Sequence, residues 1–170
     1  YDACLNLGGF TNISMKKEDK RIAFDICPLN VVLNHYAQQL GKNYDDQGNF
    51  AKKGKINPIV LQQLNGLDFY RQKPPKSLGM EWTNQHVFPL LKDNPEDCLA
   101  TFTEHAAIQL AEILTKYHIM KLLVTGGGAY NQFLIERLKS KTSASIIIPN
   151  KKIVDFKEAL IFALMGVLRW

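Results

Sequence analysis

Three stretches of this chain carry residue types that handle protons and phosphates. The first ends at Asp25. Ala3–Leu7, Phe10–Met15 and Arg21–Phe24 read as successive strands, with Gly8 and Gly9 making the first turn and 16–20 a solvated corner. A carboxylate where such a meander opens onto a helix commonly faces a ligand cleft, and it is suited to accept a proton. Gly8 and Gly9 lack a Cβ, so a phosphate or a sugar can approach their backbone closely. The second stretch is Gly126-Gly127-Gly128-Ala129-Tyr130-Asn131, which follows the apolar strand Lys121–Thr125 and precedes a helix with Phe133, Leu134 and Leu138 inward. Strand, glycine cluster and helix start together present backbone N–H groups to a nucleotide. The wording is neither a Walker loop nor a Gly-x-Gly-x-x-Gly fingerprint, and glycines also serve plain strand-to-helix turns. The third stretch runs from Pro74 to Glu81, where two prolines stiffen a loop carrying Lys76 and Ser77. A ligand-contacting loop and a plain surface loop both fit it.

Other reactive residue types lack the spacing for chemistry. Cys4, Cys27 and Cys98 are odd in number and far apart, which suits free thiols in a reducing compartment. Cys27 lies beside Asp25, but no histidine stands near it in sequence to activate it, so it reads as a small apolar side chain. His35, His86, His105 and His118 are scattered, and no metal site is expected. Asp45-Asp46 sits among Asn and Gly and reads as loop chemistry.

The segments Leu5-Asn6-Leu7-Gly8-Gly9-Phe10-Thr11-Asn12-Ile13-Ser14 and Gly126–Asn131 resemble the phosphate-binding and adenosine segments of the actin/Hsp70/sugar-kinase superfamily. More narrowly, the chain resembles the anhydro-N-acetylmuramic acid kinases. Asp25-Ile26-Cys27-Pro28-Leu29-Asn30 matches their Asp-Thr-Gly-Pro-Gly-Asn at the aspartate, proline and final asparagine. Gly41–Ala51 fits their Gly-x-x-Tyr-Asp-x-x-Gly-x-x-Ala. Pro74–Glu81 resembles their Pro-Pro-Lys-Ser-Thr-Gly-Arg-Glu, with Leu78 for threonine, Met80 for arginine, and Asn84 in place. The resemblance covers the whole chain and implies a C-terminal half.

As the resemblance has it, Asp25 is the catalytic base. Glu158, Lys76, Ser77 and Asn30 belong to the sugar side; Gly8, Gly9, Asn12, Gly126, Gly127, Gly128 and Asn131 belong to the nucleotide. Glu158 has an equally good local reading, as the partner of Asp155 in a capping box. The implied substrates are ATP, with Mg²⁺, and an anhydro sugar whose ring is opened by water and phosphorylated on O6 in cell-wall recycling. A cytoplasmic homodimer is implied as well. Two rival readings use the same segments: an actin- or Hsp70-like ATPase, and a non-catalytic sugar-binding relative prompted by Ile26, Cys27 and Leu29.

Composition sets the outer bounds. The 170 residues are 46% hydrophobic and 22% charged, ordinary for a globular domain. The net charge of +5 is spread over short lysine pairs in predicted turns, so nucleic acid is not an expected partner. No run approaches the apolar length of a membrane span. The chain begins at Tyr1 and enters a strand almost at once, which leads us to expect a piece of a longer protein.

The elements that must position these residues follow from periodicity. After the meander, a helix is expected from Pro28, with Leu29, Val32, Leu33, Tyr36 and Leu40 inward and Gly41 as its stop. Residues 42–94 read as an insertion. Asn94-Pro95-Glu96-Asp97 opens a long structural helix. Ser145–Pro149 reads as a buried strand, and a helix opening at Asp155 is apolar nearly all round, so it too should be buried. The expected class is an α/β, RNase-H-like domain of the actin/hexokinase type, a mixed sheet flanked by helices.

Overall fold

The computed structural model describes residues 1–169. Glu158 is described only as a position on a helix, so its expected role on the sugar side lies outside the described residues. The core is a mixed five-stranded sheet in the order β3-β2-β1-β4-β5. β1 (Ala3–Leu7), β2 (Phe10–Lys17) and β3 (Lys20–Pro28) form the antiparallel meander. β4 (Lys121–Thr125) and β5 (Ser145–Ile147) run parallel to β1. This is the expected class.

One face of the sheet is apolar: Ala3, Leu5, Leu7, Ile13, Met15, Phe24, Leu122 and Val124 are all buried. The opposite face carries Cys4, Asn6, Asn12, Ser14, Ala23 and Asp25, none of them buried. Such alternation is what a half-solvated sheet requires. Beneath the apolar face lie α1 (Asn30–Gln39), α6 (Pro95–Lys116) and α7 (Gln132–Lys139). The side chain of Asn94 caps α6 by accepting from Asp97 N–H, as its sequence predicts. α1 ends in a Schellman turn, with Gly41 at φ 75° and its N–H bonded to the Gln38 carbonyl. Glu104 of α6 takes a bidentate contact from Arg137 at 2.7 and 3.0 Å and another from Lys141 at 2.6 Å. Those contacts fix α7, and with it the glycine turn that precedes it.

Residues 42–94 form short helices, of which the first two pack against the long helix α6. The short helices are α2 (Asn49–Lys53), α3 (Pro58–Asn65), α4 (Asp68–Arg71) and α5 (Met80–His86). Asp45 accepts from the N–H groups of Phe50 and Ala51 at 2.8 and 3.0 Å, so it starts α2 and is the loop residue its surroundings suggested. His105 of α6 anchors the segment through Asn65 and Tyr70, at 2.6 and 2.9 Å.

Four expectations need correction. β3 continues through Pro28, which pairs with Phe10, so Asp25 lies inside the strand and Pro28 is not the first turn of a helix. A proline is tolerated there because β3 is an edge strand. β5 is a short, half-exposed edge strand, not a buried one. The last helix, α8 (Lys151–Leu168), starts four residues before Asp155, with Asn150 accepting from Ile153 N–H. That cap removes the capping-box reading of Asp155 and Glu158. Finally, α8 is not buried: Phe156, Leu160, Phe162, Val167 and Leu168 are each at least 64% exposed.

Candidate active site

The register of the sheet assembles a row that the linear sequence conceals. Asp25 on β3 pairs with Asn12 on β2, Asn12 with Asn6 on β1, and Asn6 with Thr125 on β4. All four side chains belong to the open face. A bulge sets the end of the row: Asn12 pairs with Asp25 but Thr11 with Cys27, leaving Ile26 as the extra residue. The bulge breaks the alternation, so Ile26 and Cys27 both turn into the core while Asp25 stays outside. Thr11 closes the bulge, its hydroxyl accepting from Cys27 N–H and donating to the Cys27 carbonyl, both at 3.0 Å.

Cys27 is therefore structural, as its sequence context implied. It is fully buried, and burial pushes its thiol up to about 12, far from a nucleophilic thiolate. Leu29 is also fully buried. The three positions at which the Asp25–Asn30 loop departs from the kinase pattern thus face the core, not a ligand.

Asp25 is fixed by a strap from the insertion. Its N–H donates to the Lys76 carbonyl at 3.0 Å, and its Oδ2 accepts from Leu78 N–H at 2.8 Å. The strap and the Asn12–Asp25 end of the row border an open pocket of about 530 Å³ lined by Asn12, Ala23, Phe24, Asp25, Pro75, Lys76 and Ser77. Lys76 lines it, but its ammonium donates to the Phe69 carbonyl at 3.0 Å and sits 4.3 Å from the Phe69 ring centre. Burial, with Lys116 adding to it, pulls that ammonium below its ordinary range. Lys76 thus lines the pocket while its ammonium is held on Phe69. A groove of about 740 Å³ continues past the strap between α1 and α5, lined by Gly9, Asn30, Val31, Asn34, Met80 and Asn84 among others.

The two glycine turns meet at the carboxyl ends of β1 and β4. The Gly8 and Gly9 carbonyls accept from Leu29, Asn30 and Val31 N–H, so they tie down the first turn of α1. Gly126 has φ 84°, and a Cβ on it would come within 2.8 Å of Asn6 Oδ1 and the Leu7 backbone. A Cβ on Gly128 would strike Leu7 and Leu29. Both glycines are required by packing alone. Gly127 differs: a Cβ there would meet only Asn30 Nδ2, at 3.8 Å, so its backbone is open to close approach. Asn30 joins the turns by donating to the Leu7 carbonyl at 3.2 Å. Asn131 is mostly buried and caps α7 through Leu134 N–H at 3.0 Å, a structural task that does not need a nucleotide.

The open Gly127 backbone at a strand-to-helix turn fits a nucleotide. Among the described residues no group of three or more His, Cys, Asp or Glu is assembled for a metal. The arrangement suits a Mg²⁺ ion carried on phosphate oxygens better than one held in a protein cage.

Residues not singled out from the sequence complete the face. Lys157 of α8 donates to Asn6 Oδ1 and to Thr125 Oγ1, both at 2.8 Å. Nothing local in the sequence marks these residues, because the parallel pairing of β1 with β4 joins Asn6 to Thr125 and Lys157 reaches both from a distant helix.

Comparison with known proteins gives the family. The family model for anhydro-N-acetylmuramic acid kinase matches residues 1–170. Proteins of that name from Pseudomonas savastanoi pv. phaseolicola and Pseudomonas syringae pv. tomato are 36% and 38% identical to the chain over 96% of its length. The chain spans about half the length of these curated relatives, 48% in each case. Among solved structures, the activator of 2-hydroxyisocaproyl-CoA dehydratase from Clostridium difficile, with bound ADPNP, matches 87% of the chain and 53% of its own length. The TM-score is 0.56 at 13% identity. A xyloylose kinase from Brucella ovis matches 88% of the chain and 35% of its own length, with a TM-score of 0.55 at 11% identity. At such identity these two speak for the fold alone.

Proposed function

The chain belongs to the anhydro-N-acetylmuramic acid kinase family, and from that premise we propose that it forms the C-terminal, RNase-H-like half of a two-domain sugar kinase. In this reading the whole protein takes 1,6-anhydro-N-acetylmuramic acid, ATP and water, and releases N-acetylmuramic acid 6-phosphate and ADP. It serves peptidoglycan recycling in the cytoplasm as a homodimer. The isolated chain is inactive, because the first phosphate loop belongs to the other half. The observation that carries the reading is Asp25, a carboxylate on the open face, locked by Leu78 N–H in a pocket it shares with Asn12, Lys76 and Ser77.

The residues divide the work along the row. Asp25 takes a proton from a water molecule as that water's oxygen bonds to C1 of the sugar. The C1–O6 bond breaks, and O6 attacks the terminal phosphorus of ATP while the bond to the ADP oxygen breaks. Mg²⁺ bound with ATP supplies charge neutralisation on the phosphates. Asn12, the cross-strand partner of Asp25, and the Gly8–Gly9 turn at the end of β1 are assigned to the transferred group. Gly126, Gly127 and Gly128 shape the nucleoside side, with Gly127 making the close approach and Asn131 holding the turn. Asn30, Ser77 and Glu158 belong to the sugar side, with Lys76 holding the strap. The burial of Ile26, Cys27 and Leu29 supports retained catalysis over a binding-only descendant. The exposed apolar surface of α8 is assigned to contact with the other half.

The test uses the full-length protein with the anhydro sugar, MgATP and water labelled with heavy oxygen. A phosphorylated sugar carrying one heavy oxygen at C1, lost with Asp25→Asn, is the expected product. ATP turnover without a sugar product would replace the kinase with an ATPase of the same fold.

A further inference from the structure

Lys157 sits on the open face of the sheet without a role in the reaction as described. Its ammonium is half-buried between Asn6 Oδ1 and Thr125 Oγ1, both neutral. Among the described residues no carboxylate lies within ion-pair distance of it. An ammonium has three donors, and the two oxygens that accept from it are neutral, so among the described residues its charge has no counter-ion in a half-buried position. Such a group is ready for an anion.

Its position says which anion. β1 and β4 are parallel, so their carboxyl ends and the glycine turns that follow them lie at one edge, where open α/β sheets take ligands. Gly126 presses against Asn6 Oδ1 on one side of Lys157. On the other side the row continues through Asn12 to Asp25. At the spacing of neighbouring strands, Lys157 lies roughly 12 Å from Asp25. The nucleoside belongs near Gly127 and the transferred phosphoryl group near Asp25, so the ammonium stands between them.

We propose that Lys157, oriented by Asn6 and Thr125, binds the phosphates that remain with the leaving nucleotide. The inference rests on the kinase reading and adds a binding residue to it. On nucleotide binding the ammonium exchanges a contact with a neutral oxygen for a charge-assisted bond to phosphate, which is shorter and stronger.

Calorimetry on the full-length protein tests this with ADP, adenosine and the anhydro sugar as separate probes. Lys157→Met should weaken ADP binding roughly ten- to hundredfold, leave adenosine and sugar affinities unchanged, and be largely rescued by Lys157→Arg. Unchanged ADP affinity, or equal losses for ADP and adenosine, would overturn the assignment while leaving the kinase reading intact. A wild-type protein that binds the sugar but no nucleotide would overturn both.

Discussion

Asp25 Oδ2 accepts a hydrogen bond at 2.8 Å from the backbone N–H of Leu78, a residue 53 positions further along the chain. The proposed base is thereby held by the insertion and not by its own strand. Two substitutions separate its roles. Asp25→Asn keeps an acceptor oxygen for Leu78 and should cost activity by about 10²–10⁴-fold with little change in unfolding temperature. Asp25→Ala leaves the Leu78 N–H without a partner and should lose a further ~1–3 kcal/mol of stability. Product mass and thermal melts, read together, check both statements.

Lys76 offers a contrast between likeness and geometry. Its place in a family-like motif put it on the sugar side, whereas the structure spends its ammonium on Phe69. Lys76→Met should therefore lower stability by about 1–2 kcal/mol and leave the KM for the anhydro sugar unchanged. A large rise in KM with unaltered stability would return the lysine to the substrate.

Asn131 can be dissected in the same way. Asn131→Ala removes the α7 cap and should cost about 1 kcal/mol. Asn131→Ser keeps a capping oxygen but shortens the side chain. Weaker nucleotide binding in the Ser variant, with stability retained, is the result expected if the carboxamide also touches the nucleotide.

A pH dependence follows from His105. Asn65 Oδ1 can only accept, so His105 Nδ1 carries the proton and Nε2 accepts from the Tyr70 hydroxyl. Burial lowers the imidazole to about 3 in the folded chain, against about 6.5 when unfolded. Between those values the unfolded state binds more protons, so stability is full above pH ~6.5 and falls as the pH drops toward 3. The slope approaches 1.4 kcal/mol per pH unit at about the middle of that window. Unfolding midpoints between pH 7 and 5 should fall for the native chain and stay flatter for His105→Gln. Parallel profiles would exclude His105 as the source.

The order of elements was legible because each carries a local signal. The meander has alternation and turn residues, the long helix has Asn94 and Pro95, and the glycine triple sits between an apolar run and an amphipathic one. The candidate site was only half legible. Asp25 and the glycines stand out by type, but Asn6 and Thr125 meet through a parallel pairing, and Lys157 reaches them from α8, neither of which any local pattern reveals. The bulge at Ile26 was equally hidden, because it depends on Thr11 bonding across to Cys27. The start of α8 was missed because Asn150 followed by two lysines looks like a turn until its side chain is seen on Ile153 N–H.

The terminal helix has a consequence for handling the molecule. Its aromatic and aliphatic side chains from Phe156 to Leu168 form a continuous sticky surface, of the kind that folded monomers rarely leave in water. Expressed alone, the 170-residue chain should self-associate as its concentration rises and should light up dyes that bind greasy surfaces. Any oligomer it forms by that route would say nothing about the assembly of the proposed two-domain kinase, in which this helix is assigned to the contact with the other half.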